Sequence, residues 1–171
     1  LYIVNISIMK KILKQNRPLI GTGIFSSDPF IAKKIFQCQP DWLWICLEHS
    51  PYSFETIAPI AIDARLNNIM PIIRVGWNHP DLIKRAYDIG ASGVMIPQID
   101  TADEAEEAVK YSRYPPLGER GIAPWFASYL GLTLEEVFEK DKNENLLPVS
   151  YTHLRAHETR EDLVCRLLLE K

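Results

Sequence analysis

Short apolar runs, each ending on a polar or ionisable residue and each followed by a helix-like stretch, recur along this chain and leave it few folds. Trp42-Leu43-Trp44-Ile45 leads into Glu48-His49, Pro71-Ile72-Ile73 into Arg74, and Val94-Met95-Ile96-Pro97 into Gln98. Such a rhythm predicts parallel strands joined by crossover helices. In sheets of that kind the carboxyl ends of the strands share one face, and that face carries the site. A histidine, an arginine and an amide delivered there by three consecutive strands suggest chemistry on a small anionic substrate.

Local signals fill in the frame. Residues 9–16 read as a helix and 18–25 as a first strand. Ser27 or Asp28 can cap a helix that has Pro29 at its first position, with apolar residues at Phe30, Ile31, Ile35 and Phe36. A second strand is expected over 42–47. Ser53 and Thr56 open a helix from Ile57 to Leu66, which Asn67-Asn68 ends. A third strand covers 71–75, and His79-Pro80-Asp81 begins a helix to Ile89 that the left-handed tolerance of Gly90 stops. After a fourth strand at 93–97, Thr101-Ala102-Asp103-Glu104 forms a capping box for a helix to about Arg113. A Pro/Gly loop and the aromatic stretch Pro124-Trp125-Phe126 precede a helix from Thr133 to about Lys142, and Leu146-Leu147 reads as the opening of a fifth strand. Four βα units imply a parallel sheet. The pattern by itself does not choose between a closed barrel and an open doubly wound sheet.

With 171 residues there is room for one domain with a core, and a net charge of −3 gives no sign of nucleic-acid binding. No run reaches the length of a membrane span. Cys38, Cys46 and Cys165 have no paired spacing, which suits a reducing cytoplasm. Leu1 is an unusual start whereas Met9-Lys10-Lys11 reads like one, so residues 1–8 are expected to be upstream read-through and 9–147 the domain. From Pro148 on, the chain resembles a translated sequencing adapter. A transposase end sequence encodes Pro148 to Leu154, adjoining adapter encodes Arg155 to Thr159, and Asp162 to Lys171 resemble a flow-cell end in the same frame. That origin accounts for His153, His157 and Glu158 together, so their helical spacing is not taken as a metal site, and 148–171 is set aside as non-native.

Among the site candidates, His49 lies where the second strand meets its loop, and a neutral imidazole there can move a proton. A histidine satisfied by backbone is the plainer reading. If the strand continues, Glu48 and His49 point to opposite faces, which makes Glu48 a structural partner. Arg74 has planar donors suited to a carboxylate or an enolate oxygen, against the plainer reading of a salt bridge on the rim. Asp88 sits late in its helix, where the dipole disfavours a negative charge, hinting at a specific partner such as a histidine. Gly21-Thr22-Gly23 lies within a strand and lacks a third glycine before a helix, so it is discounted as a phosphate loop.

Taken in order, several segments resemble the HpcH/HpaI aldolase (aldolase/citrate lyase) family. They are Gly21-Thr22-Gly23, Asp41-Trp42-Leu43, Glu48-His49-Ser50, Pro71-Ile72-Ile73-Arg74-Val75, Ile83-Lys84-Arg85 and Tyr87-Asp88-Ile89-Gly90-Ala91-Ser92-Gly93. Ile96-Pro97-Gln98, Ala102-Asp103-Glu104-Ala105 and Arg113-Tyr114-Pro115-Pro116-Leu117-Gly118-Glu119-Arg120-Gly121 complete the set, which runs from about residue 13 to 147. The resemblance implies an α/β fold of the (β/α)8 TIM-barrel type, truncated here to four βα units plus the start of strand five. It implies a carbon–carbon lyase joining or separating pyruvate and an aldehyde, with a divalent metal ion (Mg2+, Mn2+ or Co2+) holding the pyruvate enolate. It implies His49 as catalytic base, Asp88 as the acid paired with it, and Arg74 as the residue steadying the enolate oxygen. It also implies a homo-oligomer acting on small molecules, with no nucleic-acid or membrane partner.

The chain departs from the family pattern in two places. Cys46 stands where the family has an aspartate, which bears on substrate preference. The two carboxylates expected to bind the metal would lie beyond Leu147, so the chain as written is expected to lack a metal site and to be inactive. A citrate-lyase-like enzyme acting on an acyl-CoA thioester, or a non-catalytic barrel fragment, are the alternatives. The Tyr-Pro-Pro-x-Gly loop favours the aldolase branch.

Overall fold

The computed structural model describes residues 17–144 and 149–151, with side chains to residue 139. The helix expected over 9–16 and the adapter-like residues 152–171 lie outside the described residues. Strands β1 (Gly21–Ile24), β2 (Trp42–Cys46), β3 (Met70–Arg74), β4 (Gly93–Pro97) and β5 (Val149–Tyr151) form one sheet, every pair parallel, in the order β1-β2-β3-β4-β5. Helices α1 (Pro29–Gln37), α2 (Phe54–Leu66), α3 (Pro80–Asp88) and α4 (Ala102–Ser112) return the chain between the first strands, and α5 (Trp125–Tyr129) and α6 (Leu134–Glu144) precede β5. Strict sequential order resolves the choice that the sequence pattern leaves open. A doubly wound sheet reverses its strand order at a switch point, whereas a barrel does not.

The helices start where their caps dictate. Asp28 accepts from the Phe30 amide at 2.8 Å, Ser53 from Thr56 at 3.2 Å, and Thr101 and Glu104 exchange the two bonds of a capping box. His79 caps α3 through Nδ1, which accepts from the Asp81 amide at 3.3 Å. Gly90 ends that turn at φ 106°, and a Cβ there would stand 3.2 Å from that of Phe126, so both conformation and packing require glycine.

The two faces of the sheet are buried to different degrees. Leu43, Ile45, Ile73, Val94 and Ile96 point at the helices and are wholly buried against Ile57, Ile60, Ala61, Ala64, Ile83 and Ala86. Each such side chain contributes about 1.5–3 kcal/mol. On the concave face Trp42, Trp44, Ile72 and Met95 are only half-buried. The Trp42 indole lies across Gly21, where a Cβ would fall 1.9 Å from the ring, so this glycine serves packing. A second apolar cluster of Ile62, Tyr114, Phe126, Ala127, Leu130 and Val137 fixes α5 and α6 beneath α2.

One boundary differs from expectation. The one-and-a-half-turn α5 follows Pro124, where the sequence pattern marks only an aromatic stretch. The described part of the fifth strand pairs at Val149–Tyr151, while Leu146-Leu147, expected to open it, lie outside the described residues. The segment set aside as non-native thus contributes a strand to the sheet. An open strand edge templates a following segment of suitable composition, and Val149-Ser150-Tyr151 has it.

Candidate active site

Register places the carboxyl ends of three strands level with one another: Cys46 pairs with Arg74, and Arg74 with Met95. The Leu47 amide donates to the Arg74 carbonyl at 2.7 Å and the Val75 amide to the Met95 carbonyl at 3.1 Å, extending the ladder one step past the strands. Past Cys46 the backbone bends over residues 47–50, so the alternation that would send Glu48 and His49 to opposite faces no longer applies. Both residues reach the mouth. Glu48 Oε2 pairs with Arg74 Nη2 and lies 3.4 Å from His49 Nε2. The Glu48 and Arg74 side chains are 11% and 9% exposed, whereas His49 is 67% exposed. A buried ion pair thus lies beside an imidazole that is open to solvent. Arg74 does form a rim ion pair, and the carboxylate oxygen of that pair also lies next to His49.

Asp88 is elsewhere. It occupies the last turn of α3, which runs back toward the amino end of β4, so it stands at the opposite end of the sheet from His49. Among the described residues no ion pair joins the two, and Asp88 does not meet the histidine partner expected for it. Its neighbours are charged groups of another kind. Burial pushes the Asp88 carboxyl up to about 6, against the pull of Arg120 and Lys84 and with a push from Asp81. Its Oδ1 is buried and makes no hydrogen bond among the described residues. Arg120, 4% exposed, stacks 3.8 Å from the Tyr114 ring centroid and 4.3 Å from that of Tyr87. Sequence reasoning misses Arg120 as the cation beside Asp88, although the Tyr-Pro-Pro loop that delivers it is a conspicuous signal.

Gln98 follows β4 directly and is exposed at the mouth, its backbone held at φ 56°. Among the described residues no group of three His, Cys, Asp or Glu could hold a metal ion. Glu48, the carboxylate that the bend after β2 brings to the mouth, is taken up by Arg74, so these residues do not by themselves fit a divalent cation. No helix among them is long and apolar enough to cross a membrane.

Comparison with known proteins adds an independent line. The family model of HpcH/HpaI aldolase/citrate lyase matches residues 22–166. A 2-dehydro-3,6-dideoxy-6-sulfogluconate aldolase from Pseudomonas putida is 36% identical over 111 residues, 65% of this chain and 44% of that protein. A 4-hydroxy-2-oxo-heptane-1,7-dioate aldolase from Escherichia coli is 36% identical over 113 residues, 66% of this chain and 43% of that one. The chain therefore spans less than half the length of these curated relatives. The crystal structure of an HpcH/HpaI aldolase from Desulfitobacterium hafniense superimposes with a TM-score of 0.75 at 25% identity, over 91% of this chain and 60% of that one.

Proposed function

Because this chain belongs to the HpcH/HpaI aldolase/citrate lyase family, we propose that the full-length protein is a carbon–carbon lyase that makes and cleaves 4-hydroxy-2-oxo acids. In the cleavage direction the C4 hydroxyl gives up its proton and the C3–C4 bond breaks. The departing C4 becomes an aldehyde, and the electron pair left on C3 is delocalised as the enolate of pyruvate. Protonation at C3 then releases pyruvate.

The observation that carries this reading is the Arg74–Glu48–His49 chain at the carboxyl end of β2 and β3. His49 is exposed enough to take up and return the proton, directly or through a water. Arg74, held in place by Glu48, brings fixed positive charge to the oxygen on which the enolate develops. A divalent cation (Mg2+, Mn2+ or Co2+) would add Lewis-acid stabilisation of that charge in the full-length protein. Its ligands are expected beyond residue 147, and the roles assigned to His49 and Arg74 do not depend on them.

Asp88 enters this scheme only between copies. With His49 and Asp88 at opposite ends of one sheet, their pairing requires a homo-oligomer in which the foot of one copy meets the mouth of another. Exposed Ile122, Trp125, Tyr129 and Leu134 near the Asp88 end give such an assembly an apolar surface to cover.

The test is release of pyruvate from a 4-hydroxy-2-oxo acid by the full-length protein supplied with a divalent metal. His49→Ala should lower kcat by about 10²–10⁴, the usual weight of a general base. A parent protein that releases no pyruvate, or that acts only on a CoA thioester, would overturn the reading.

A further inference from the structure

Three described residues other than glycine have positive φ: Gln39 at 49°, Asn68 at 61° and Gln98 at 56°. Gln39 and Asn68 each stand one residue past the C-cap of a helix, where the left-handed turn completes the helix end. Gln98 follows a strand, so no helix terminus calls for its conformation. A glycine would adopt it without the penalty a side chain incurs.

Neighbouring contacts hold the loop around Gln98. Ile99 is 4% exposed and locked in the core. The Glu104 carboxylate accepts from the amides of Asp100 at 2.8 Å and Thr101 at 3.0 Å. Asn78, from the β3–α3 loop, donates to the Glu104 carbonyl at 3.0 Å and ties the two loops together. Strained backbone held by its surroundings beside a site points to use of the side chain.

We propose that Gln98 selects the aldehyde, presenting its side-chain amide at the mouth to a hydroxyl on that second substrate. This rests on the lyase reading above. Position supports the assignment: β4 adjoins β3, so Gln98 stands beside the strand end that carries Arg74 without belonging to the Arg74–Glu48–His49 chain. An amide both donates and accepts, as a hydroxyl does, whereas a charged substituent would call for a cation.

The experiment compares glycolaldehyde with propanal, its near-isostere lacking the hydroxyl, as partners of pyruvate in the full-length protein. The parent should prefer glycolaldehyde in kcat/KM. Gln98→Leu should raise KM for glycolaldehyde at least about tenfold, the worth of one good hydrogen bond. It should move KM for propanal and for pyruvate less than twofold. Gln98→Gly, which removes the backbone strain along with the amide, should show the same KM change with a thermal midpoint at or above the parent's, and it serves if the leucine variant folds poorly. A parent that condenses both aldehydes with a kcat/KM ratio unmoved by either variant overturns the role of Gln98 and leaves the lyase standing. A parent that condenses neither aldehyde, and does not exchange the methyl protons of pyruvate with deuterated solvent, overturns the lyase itself.

Discussion

The two ends of the sheet hold the same kinds of residue in opposite arrangements. At the carboxyl end Arg74 and Glu48 touch, and their pair lies beside an exposed histidine. At the amino end the Arg120 guanidinium lies over the rings of Tyr87 and Tyr114, and Asp88 is half-buried with that cation in its neighbourhood. One carboxylate is held by direct contact with a cation. The other feels a cation nearby yet is dominated by burial, which raises it to about 6. For Asp88, burial outweighs the charges in its neighbourhood, and at Glu48 the cation is instead in direct contact.

The largest effect should come from Arg74→Met. With both side chains about a tenth exposed, loss of the guanidinium leaves Glu48 buried without its ionic partner. Breaking such a pair costs about 3–5 kcal/mol. Chemical denaturation of the chain reads this, and the full-length protein should also lose about 10²–10³ in kcat/KM. Glu48→Gln should cost less, and the double variant should recover part of the loss. Single-variant costs that simply add to within about 0.5 kcal/mol would show the two residues to be uncoupled, and the contrast between the ends would collapse.

At the other end Arg120→Lys should cost about 1–2 kcal/mol, because an ammonium keeps the charge but not the flat stacking between two rings. Asp88 would still face a cation, so its titration should remain near 6. Arg120→Met should push it higher, since Arg120 is the largest of the effects holding that carboxyl down. Titration of the Asp88 carboxyl by NMR separates the two variants. An unmoved titration in the methionine variant would mean that burial alone sets the value.

Much of this fold is written in short-range chemistry. Asp28-Pro29, Ser53 and Thr101 with Glu104 each cap the helix they announce, because a cap joins residues only two or three apart. Gly90 ends its helix for the same local reason. What the chain does not display is register. The Glu48–Arg74 pair depends on Cys46 lying opposite Arg74, and on β2 ending at Cys46 so that the bend frees Glu48 from strand alternation. Arg120 reaches Asp88 only after a whole βα unit has intervened. His49, Arg74 and Gln98 are legible as strand-end residues from the apolar runs that precede them. The position of Asp88 at the other end is legible too, because a crossover helix must run antiparallel to the strands it joins, and Asp88 lies in the last turn of one.

The smallest expected effect is also the one whose sign best tests the contrast. A carboxyl titrating near 6 in the folded chain and near 4 when unfolded binds more protons folded than unfolded between those values. Stability must therefore fall as pH rises through that window, the reverse of an acid held by a cation. The burial responsible is partial, and screening by solvent reduces the effect to about 1 kcal/mol. Asp88→Asn should remove this dependence, leaving stability unchanged near pH 4 and raising it by that amount at pH 8. The charged neighbours bear on the outcome. Arg120 and Lys84 favour the ionised form and Asp81 opposes it, so the asparagine variant gives up attraction to two cations while escaping desolvation and one repulsion. Because desolvation is the largest of these, the balance favours the amide. Should Asp88→Asn lower stability at pH 8, Arg120 would be holding Asp88 as firmly as Arg74 holds Glu48, and the two ends would differ only in which side chain faces solvent.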